Sequence, residues 1–182
     1  MTTFLYSATA AADGYIAGPG GDMSWLLPFT TEDPDPIFER IIPQITALLT
    51  GRTTYDGDDP HAGDPEKEGA FEGQWDGPQV VLTHRPVTSP PPGLTVTHTL
   101  QEAEEACRAA AGAEGTVNVL GADIARQCLE VGILGEVIIS TVPILLGGGT
   151  PILRGTERSF TLDLIDQATT TTAHTRHYRV RV

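Results

Sequence analysis

The stretch from residue 116 to 146 constrains the fold most. "TVNVLG" is a short apolar run ending in glycine, "ADIARQCLEVG" repeats apolar residues at helical spacing and closes on Gly132, and "EVIISTVPILL" is continuously apolar. A strand, a capped helix and a strand without polar alternation is the signature of a buried, parallel arrangement. Upstream, "QVVLTHR" and "LTVTH" read as strands and "TLQEAEEACRAAAG" as an amphipathic helix. Thr99 and Glu102 stand as its capping box, and Leu100, Ala103, Cys107 and Ala110 make its apolar stripe. Strands alternating with helices predict an α/β fold, a mostly parallel central sheet with helices on both faces.

The flanks follow other patterns. "TFLYSATA" predicts a first strand entering the glycine-rich, mobile "DGYIAGPGGD". In "DPDPIFERIIPQITALLTG", Ile37, Ile41, Ile45 and Leu48 recur near helical spacing, so a helix is expected that Pro43 kinks or shortens. The acidic "DGDDPHAGDPEKEGAFEGQWDG" reads as an exposed excursion, either a solvated loop or, through Phe71 and Trp75, a gate or subunit contact. Phe160, Leu162 and Leu164, then Tyr178, Val180 and Val182, alternate with polar residues and predict a C-terminal antiparallel hairpin. Residues 1–182 are expected to form a single domain.

Charge narrows the partners. With 11 Lys+Arg against 24 Asp+Glu the net charge is −13, which repels nucleic-acid backbones and anionic bilayers. Isolated basic residues therefore become informative, because local donors rather than summed charge decide capture of a small anion. Two cysteines in helix-like segments suggest no disulfide framework, and the N-terminus lacks a signal-peptide pattern, so a cytoplasmic location is expected.

One such basic residue sits in "LLTGRTTYDG", where a buried segment ends. In open α/β sheets, ligands gather beyond the carboxyl ends of strands, where helices begin with free N–H groups. Gly51 would permit close backbone approach, Thr53 and Thr54 would supply donors, and Arg52 would pair with a phosphate. The alternative is that Arg52 pairs with a surface carboxylate and the turn only caps a helix. A second station is Thr83, His84 and Arg85 after "VVL", and a third is Gly121, opening a helix after "NVL". Three such strand ends together suggest a long phosphorylated cofactor across the sheet edge.

With "ADGYIAG", "LLTGRTTYDG", "VVLTHR", "NVLGADIARQCLEVGILGEVIISTVPILLGGGTPIL" and "SFTLDLIDQATTTTAHTRHYRVRV" in this order, the chain resembles the dihydrofolate reductase-like family. The resemblance is to the branch that includes the C-terminal reductase domain of the riboflavin-biosynthesis bifunctional deaminase-reductase. It implies NADPH, with Arg52 near the 2′-phosphate, Thr54 near the pyrophosphate, and Thr83, His84 and Arg85 around the adenosine phosphate end. Gly121 and Ala122 would approach the central phosphates, followed by Asp123 and Ile124. Relatives commonly carry Gly-Gly, often with a cis peptide, where this chain has Gly121-Ala122.

The acceptor end is less marked. Dihydrofolate reductases carry an acid two residues after the proline of a Trp-x-x-Pro segment; "WLLPFT" places Thr30 there, with Glu32 and Asp33 slightly beyond, which argues against dihydrofolate reduction. Asp13 is the candidate catalytic polar group, its competing role being to stabilise the turn before Gly14. Trp25 and Asp33 are the expected substrate contacts, Trp25 being equally explained by packing. "PILLGGGTPIL" lacks the Lys-Ser/Thr of a phosphate loop; by resemblance it is a flexible loop beside residues 14 to 22, and together they could gate access. The histidines show no paired metal spacing, and the zinc-deaminase motif is absent. Gly135-Glu136 replaces an Asp-Glu pair usual in relatives. The expected function is hydride transfer from NADPH to a small heterocyclic, carbonyl or imine acceptor. The competing readings are a nucleotide-binding protein without turnover and a homodimer built on "VIISTVPILL" and the excursion.

Overall fold

The computed structural model describes residues 1–30, 33–57 and 59–181. Glu32, among the acids weighed above, and Val182 lie outside them. An eight-stranded sheet runs in the order β5-β4-β3-β6-β1-β7-β10-β9. Its parallel part comprises β1 (Thr3–Ala11), β3 (Ile45–Gly51), β4 (Gln79–Leu82), β5 (Leu94–Thr97), β6 (Thr116–Leu120) and β7 (Leu134–Val142). The antiparallel part is the hairpin β9 (Leu162–Thr169) and β10 (His174–Val180), with β10 hydrogen-bonded to β7. Because β10 runs against β7, His174 lies opposite Thr141, and the turn before it arrives at the edge where the parallel strands end.

Alternating side chains divide the core into two layers. On one face Phe4, Tyr6, Leu49, Val80, Val117 and Val119 pack against α3 (Leu100–Ala111) and α4 (Ala122–Val131). The capping box of α3 is present: Thr99 accepts from Glu102 N–H, and Glu102 accepts from Thr99 N–H. Glu102 also accepts from His98 N–H at 2.8 Å, and these bonds, His98's first, hold its carboxyl below the ordinary range. Ala103 and Cys107 are buried as expected, but Ala110 is exposed, and Ala106 and Ala111 pack in its place. Gly132 ends α4 in the left-handed conformation.

On the other face Leu5, Leu48 and Ile138 meet α1 (Pro36–Ile41). The helix expected to run through Leu48 stops at Ile41; a 3-10 turn follows at Ile42–Gln44, and Ile45 begins β3. Pro43 removes an amide donor and the following run, buried on both faces, pairs as a central strand. Ile37, Ile41, Ile45 and Leu48 nevertheless share one core cluster, which is why their spacing imitated a single helix. Part of the excursion is packed rather than solvated: Trp75 Nε1 donates to Ile45 O at 2.9 Å, and Phe71 stands 6.2 Å from Phe38 between ring centres.

The expected mobile loop holds a short strand, β2 (Tyr15–Ala17), paired with β8 (Thr150–Pro151). These two segments are therefore adjacent, as the resemblance implied. Gly149 packs so closely that a β-carbon there would lie 2.0 Å from Ala17 O. Among the described residues no helix is long and apolar enough to cross a membrane.

Candidate active site

The carboxyl ends of β4, β3 and β6 are neighbours in the sheet and in register. Gly51 pairs with Leu82, and Thr50 with Leu120, so the turns that leave these strands begin side by side. They open into a cleft of about 1390 Å³ whose lining runs from His98 beyond β5 to Thr172 before β10. From β4 to β7 it crosses four strand intervals, about 19 Å at the usual interstrand spacing. An extended dinucleotide has room there, with space remaining at the β1–β7 end.

Every residue assigned to the cofactor from sequence lines this cleft: Gly51, Arg52, Thr53, Thr54, Thr83, His84, Arg85, Gly121, Ala122, Asp123 and Ile124. The four-residue α2 (Arg52–Tyr55) leaves β3 directly. Gly51 packs closely on α4: a β-carbon there would lie 3.0 Å from Ile124 Cγ1, so the isoleucine would have to give way. Gly121 takes φ +96°, and a β-carbon there would fall 2.4 Å from Thr54 Oγ1, so both the backbone and the space demand glycine. No side chain caps the start of α4, and its first residues, Ala122, Asp123 and Ile124, line the cleft with Gly121. Among the described residues no peptide bond is cis.

The donors at this end are partly engaged. Arg52 donates from Nε to Asp56 at 2.6 Å and from NH1 to Pro86 O at 2.8 Å, with Tyr55 beneath its guanidinium at 5.9 Å. The arginine thus does pair with a carboxylate, yet that pair faces the cleft. Thr83 is buried and accepts from Arg85 N–H at 3.0 Å, shaping the turn after β4. His98 Nδ1 donates to Thr83 O at 2.7 Å, which fixes its tautomer. Asp123 is held by its own helix, accepting from Arg126 at 3.0 Å and Gln127 at 2.9 Å. The glycine approaches, the uncapped amides of α4 and two arginines form a donor set suited to a diphosphate and a separate phosphate.

The other end has apolar walls of Met23, Leu26, Phe29, Phe38 and Phe71 over the hydroxyls of Ser7, Thr9 and Ser140. Phe71 and Glu72 hold φ of 54° and 56°, left-handed values that non-glycine residues seldom keep outside constrained sites. Asp33 lines this end and accepts from Thr171 N–H at 3.0 Å, tying it to the β9–β10 turn. Thr30 lines it as well. Two assignments do not reach the cleft lining. Trp25 is buried against Ala11 and Val142, so the wall falls to its neighbours Leu26 and Phe29. Asp13 accepts from Gly147 N–H at 2.7 Å, a bond that lowers its pKa and staples the two adjacent loops.

Phe71 lies where the excursion's alternative reading as a gate would put it, whereas Leu26 and Phe29 of the 3-10 segment Ser24–Phe29 and the β9–β10 turn carry no sequence signal for this wall. Ser7 and Ser140 left a signal, being polar residues within strands that otherwise read as core. Among the described residues no group of three or more His, Cys, Asp or Glu is placed to hold a metal ion.

Comparison with known proteins agrees with this geometry. A putative riboflavin biosynthesis protein from Shewanella sp. PV-4 superposes with a TM-score of 0.73 at 22% identity, covering 99% of both chains. The Thermotoga maritima diaminohydroxyphosphoribosylaminopyrimidine deaminase/5-amino-6-(5-phosphoribosylamino)uracil reductase gives 0.65 at 13% identity, with 99% of this chain spanning 57% of that one. Dihydrofolate reductase from Enterococcus faecalis, complexed with NADP(H), gives 0.60 at 17% identity over 99% and 97% of the two chains. These likenesses establish a dihydrofolate reductase-like fold. No curated protein matches the chain. The model of the RibD C-terminal domain matches residues 3–176, so the chain belongs to that family, a membership that supports a reductase-type function.

Proposed function

We infer that the chain is a single reductase domain that binds NADPH and uses it to reduce a small heterocyclic, carbonyl or imine acceptor. The observation that carries this reading is the alignment of three donor-bearing turns on neighbouring parallel strands, at Gly51, Leu82 and Leu120. Bound there, NADPH supplies the hydride. Arg52 and Arg85 hold the ribose phosphate, and Thr54 with the amides around Gly121 and Ala122 holds the diphosphate. Leu26, Phe29 and Phe38 exclude water from the acceptor, while Ser7, Thr9 and Ser140 offer it hydrogen bonds.

Titration of NADPH by fluorescence tests this: saturable sub-millimolar binding is expected, and its absence would end the reading. Arg52→Ala should weaken NADPH by about 10- to 100-fold, the worth of lost charge-assisted hydrogen bonds, and NADH only slightly.

A second reading, nucleotide binding without turnover, is favoured by Thr30, which cannot act as the acid found there in dihydrofolate reductases. Cofactor oxidation above background with any aldehyde, pterin or pyrimidine acceptor would remove it. A homodimer would not pair through the edges of β7, which is interior between β1 and β10, although Leu145, later in the same apolar segment, is exposed. Leu164 and Ile165, exposed on the outermost strand β9, offer a second surface, and light scattering tests for the dimer.

A further inference from the structure

The corner assigned above to the ribose phosphate already holds an anion of its own. Arg52 and Arg85 converge on one oxygen of Asp56: Arg52 Nε donates to it at 2.6 Å, and Arg85 NH2 lies 3.5 Å away. The longer separation is beyond a good N–H···O hydrogen bond, so Arg85 is held mainly by charge and can turn toward another anion. Pro86 O, which accepts from Arg52 NH1 at 2.8 Å, keeps the first guanidinium at the rim. Asp56 itself lines the cleft, and its carboxylate uses the donors that a phosphate monoester would use.

We propose that Asp56 is a specificity-determining residue, an internal competitor for Arg52 and Arg85 that sets how strongly the cleft prefers a nucleotide bearing a ribose phosphate over one without it. The inference rests on the cofactor reading given above. Two arginines and one carboxylate leave the corner with one net positive charge. A phosphate dianion entering beside Asp56 would turn that corner negative, in a chain whose net charge is −13. It would lie within a few ångströms of a like charge, well inside the screening length. A nucleotide lacking that phosphate leaves the Arg52–Asp56 pair undisturbed. Asp56 therefore opposes only the phosphorylated ligand, and specificity is the difference between the two affinities.

The test is calorimetric titration of the full chain with 2′,5′-ADP against 5′-AMP, and with NADPH against NADH, at low and moderate salt. Asp56→Asn keeps a neutral acceptor for Arg52 Nε. It should tighten 2′,5′-ADP and NADPH about tenfold at low salt, leave 5′-AMP and NADH within about twofold, and steepen the salt dependence of the phosphorylated pair. Asp56→Ser, with an unchanged thermal melt as control, should follow the same direction and serves if the first variant folds poorly. Unchanged selectivity, or weaker NADPH binding in the variants, would overturn the proposal while leaving the cofactor reading intact, since Asp56 would then only position Arg52. Absence of saturable 2′,5′-ADP and NADPH binding in the parent chain and both variants would sink the cofactor reading and this inference with it.

Discussion

The two ends of the cleft are built by different rules. At the β4–β3–β6 end each donor sits within a few residues of its own strand, and strand register alone brings the donors together. At the β1–β7 end the walls arrive from the segment near Phe29, from Phe38 on α1, from Phe71 in the excursion and from the turn at Thr170–Ala173. The first end is a property of the sheet, and the second is a property of the whole tertiary structure. A sheet-borne site can hold a common ligand while the walls facing it change.

The most severe way to break this contrast is to remove the frame both ends share. Leu49 is fully buried in β3, and Leu49→Ala should cost about 2–5 kcal/mol, lowering the midpoint in urea and abolishing both ends together. Gly121→Ala acts on one end only. Its backbone conformation costs about 1–3 kcal/mol for an L side chain, and the added methyl displaces Thr54, so NADPH affinity should fall more than tenfold by fluorescence titration. Phe29→Ala sharpens the comparison from the opposite side: the KM of a working acceptor should rise several-fold while the NADPH Kd stays within about twofold. The smallest effect is expected beneath the cofactor end. Burial pushes the thiols of Cys107 and Cys128 up to about 12, so iodoacetamide near pH 8 should label neither until the protein is denatured, as mass spectrometry will record.

The same division explains what the sequence disclosed. Strand-end glycines and the Arg-Thr-Thr turn are local signals whose meaning depends only on the strands being parallel, which the strand–helix alternation from 116 to 146 had already implied. Ile45 and Leu48 misled because a helix and a strand fed one core cluster at an accidental helical spacing. Trp25 invited a substrate role through its chemistry, but position along a 3-10 segment decides which of Trp25, Leu26 and Phe29 turns inward to the core. By sequence Asp13 is a catalytic candidate, with a turn role as the alternative. Its bond partner, Gly147, lies 134 residues away, where no local pattern reaches. Asp56 carries no distinguishing signal within its acidic run, since only the fold places it against two arginines.

The reversed direction of β10 has a bearing on biosynthesis. Residues near Thr9 are made before the segment that completes the rim they help form, Thr170–Ala173, which follows more than a hundred and fifty residues later. A nascent chain can assemble the turns that follow β3, β4 and β6 well before the β9–β10 turn can close the other end of the cleft.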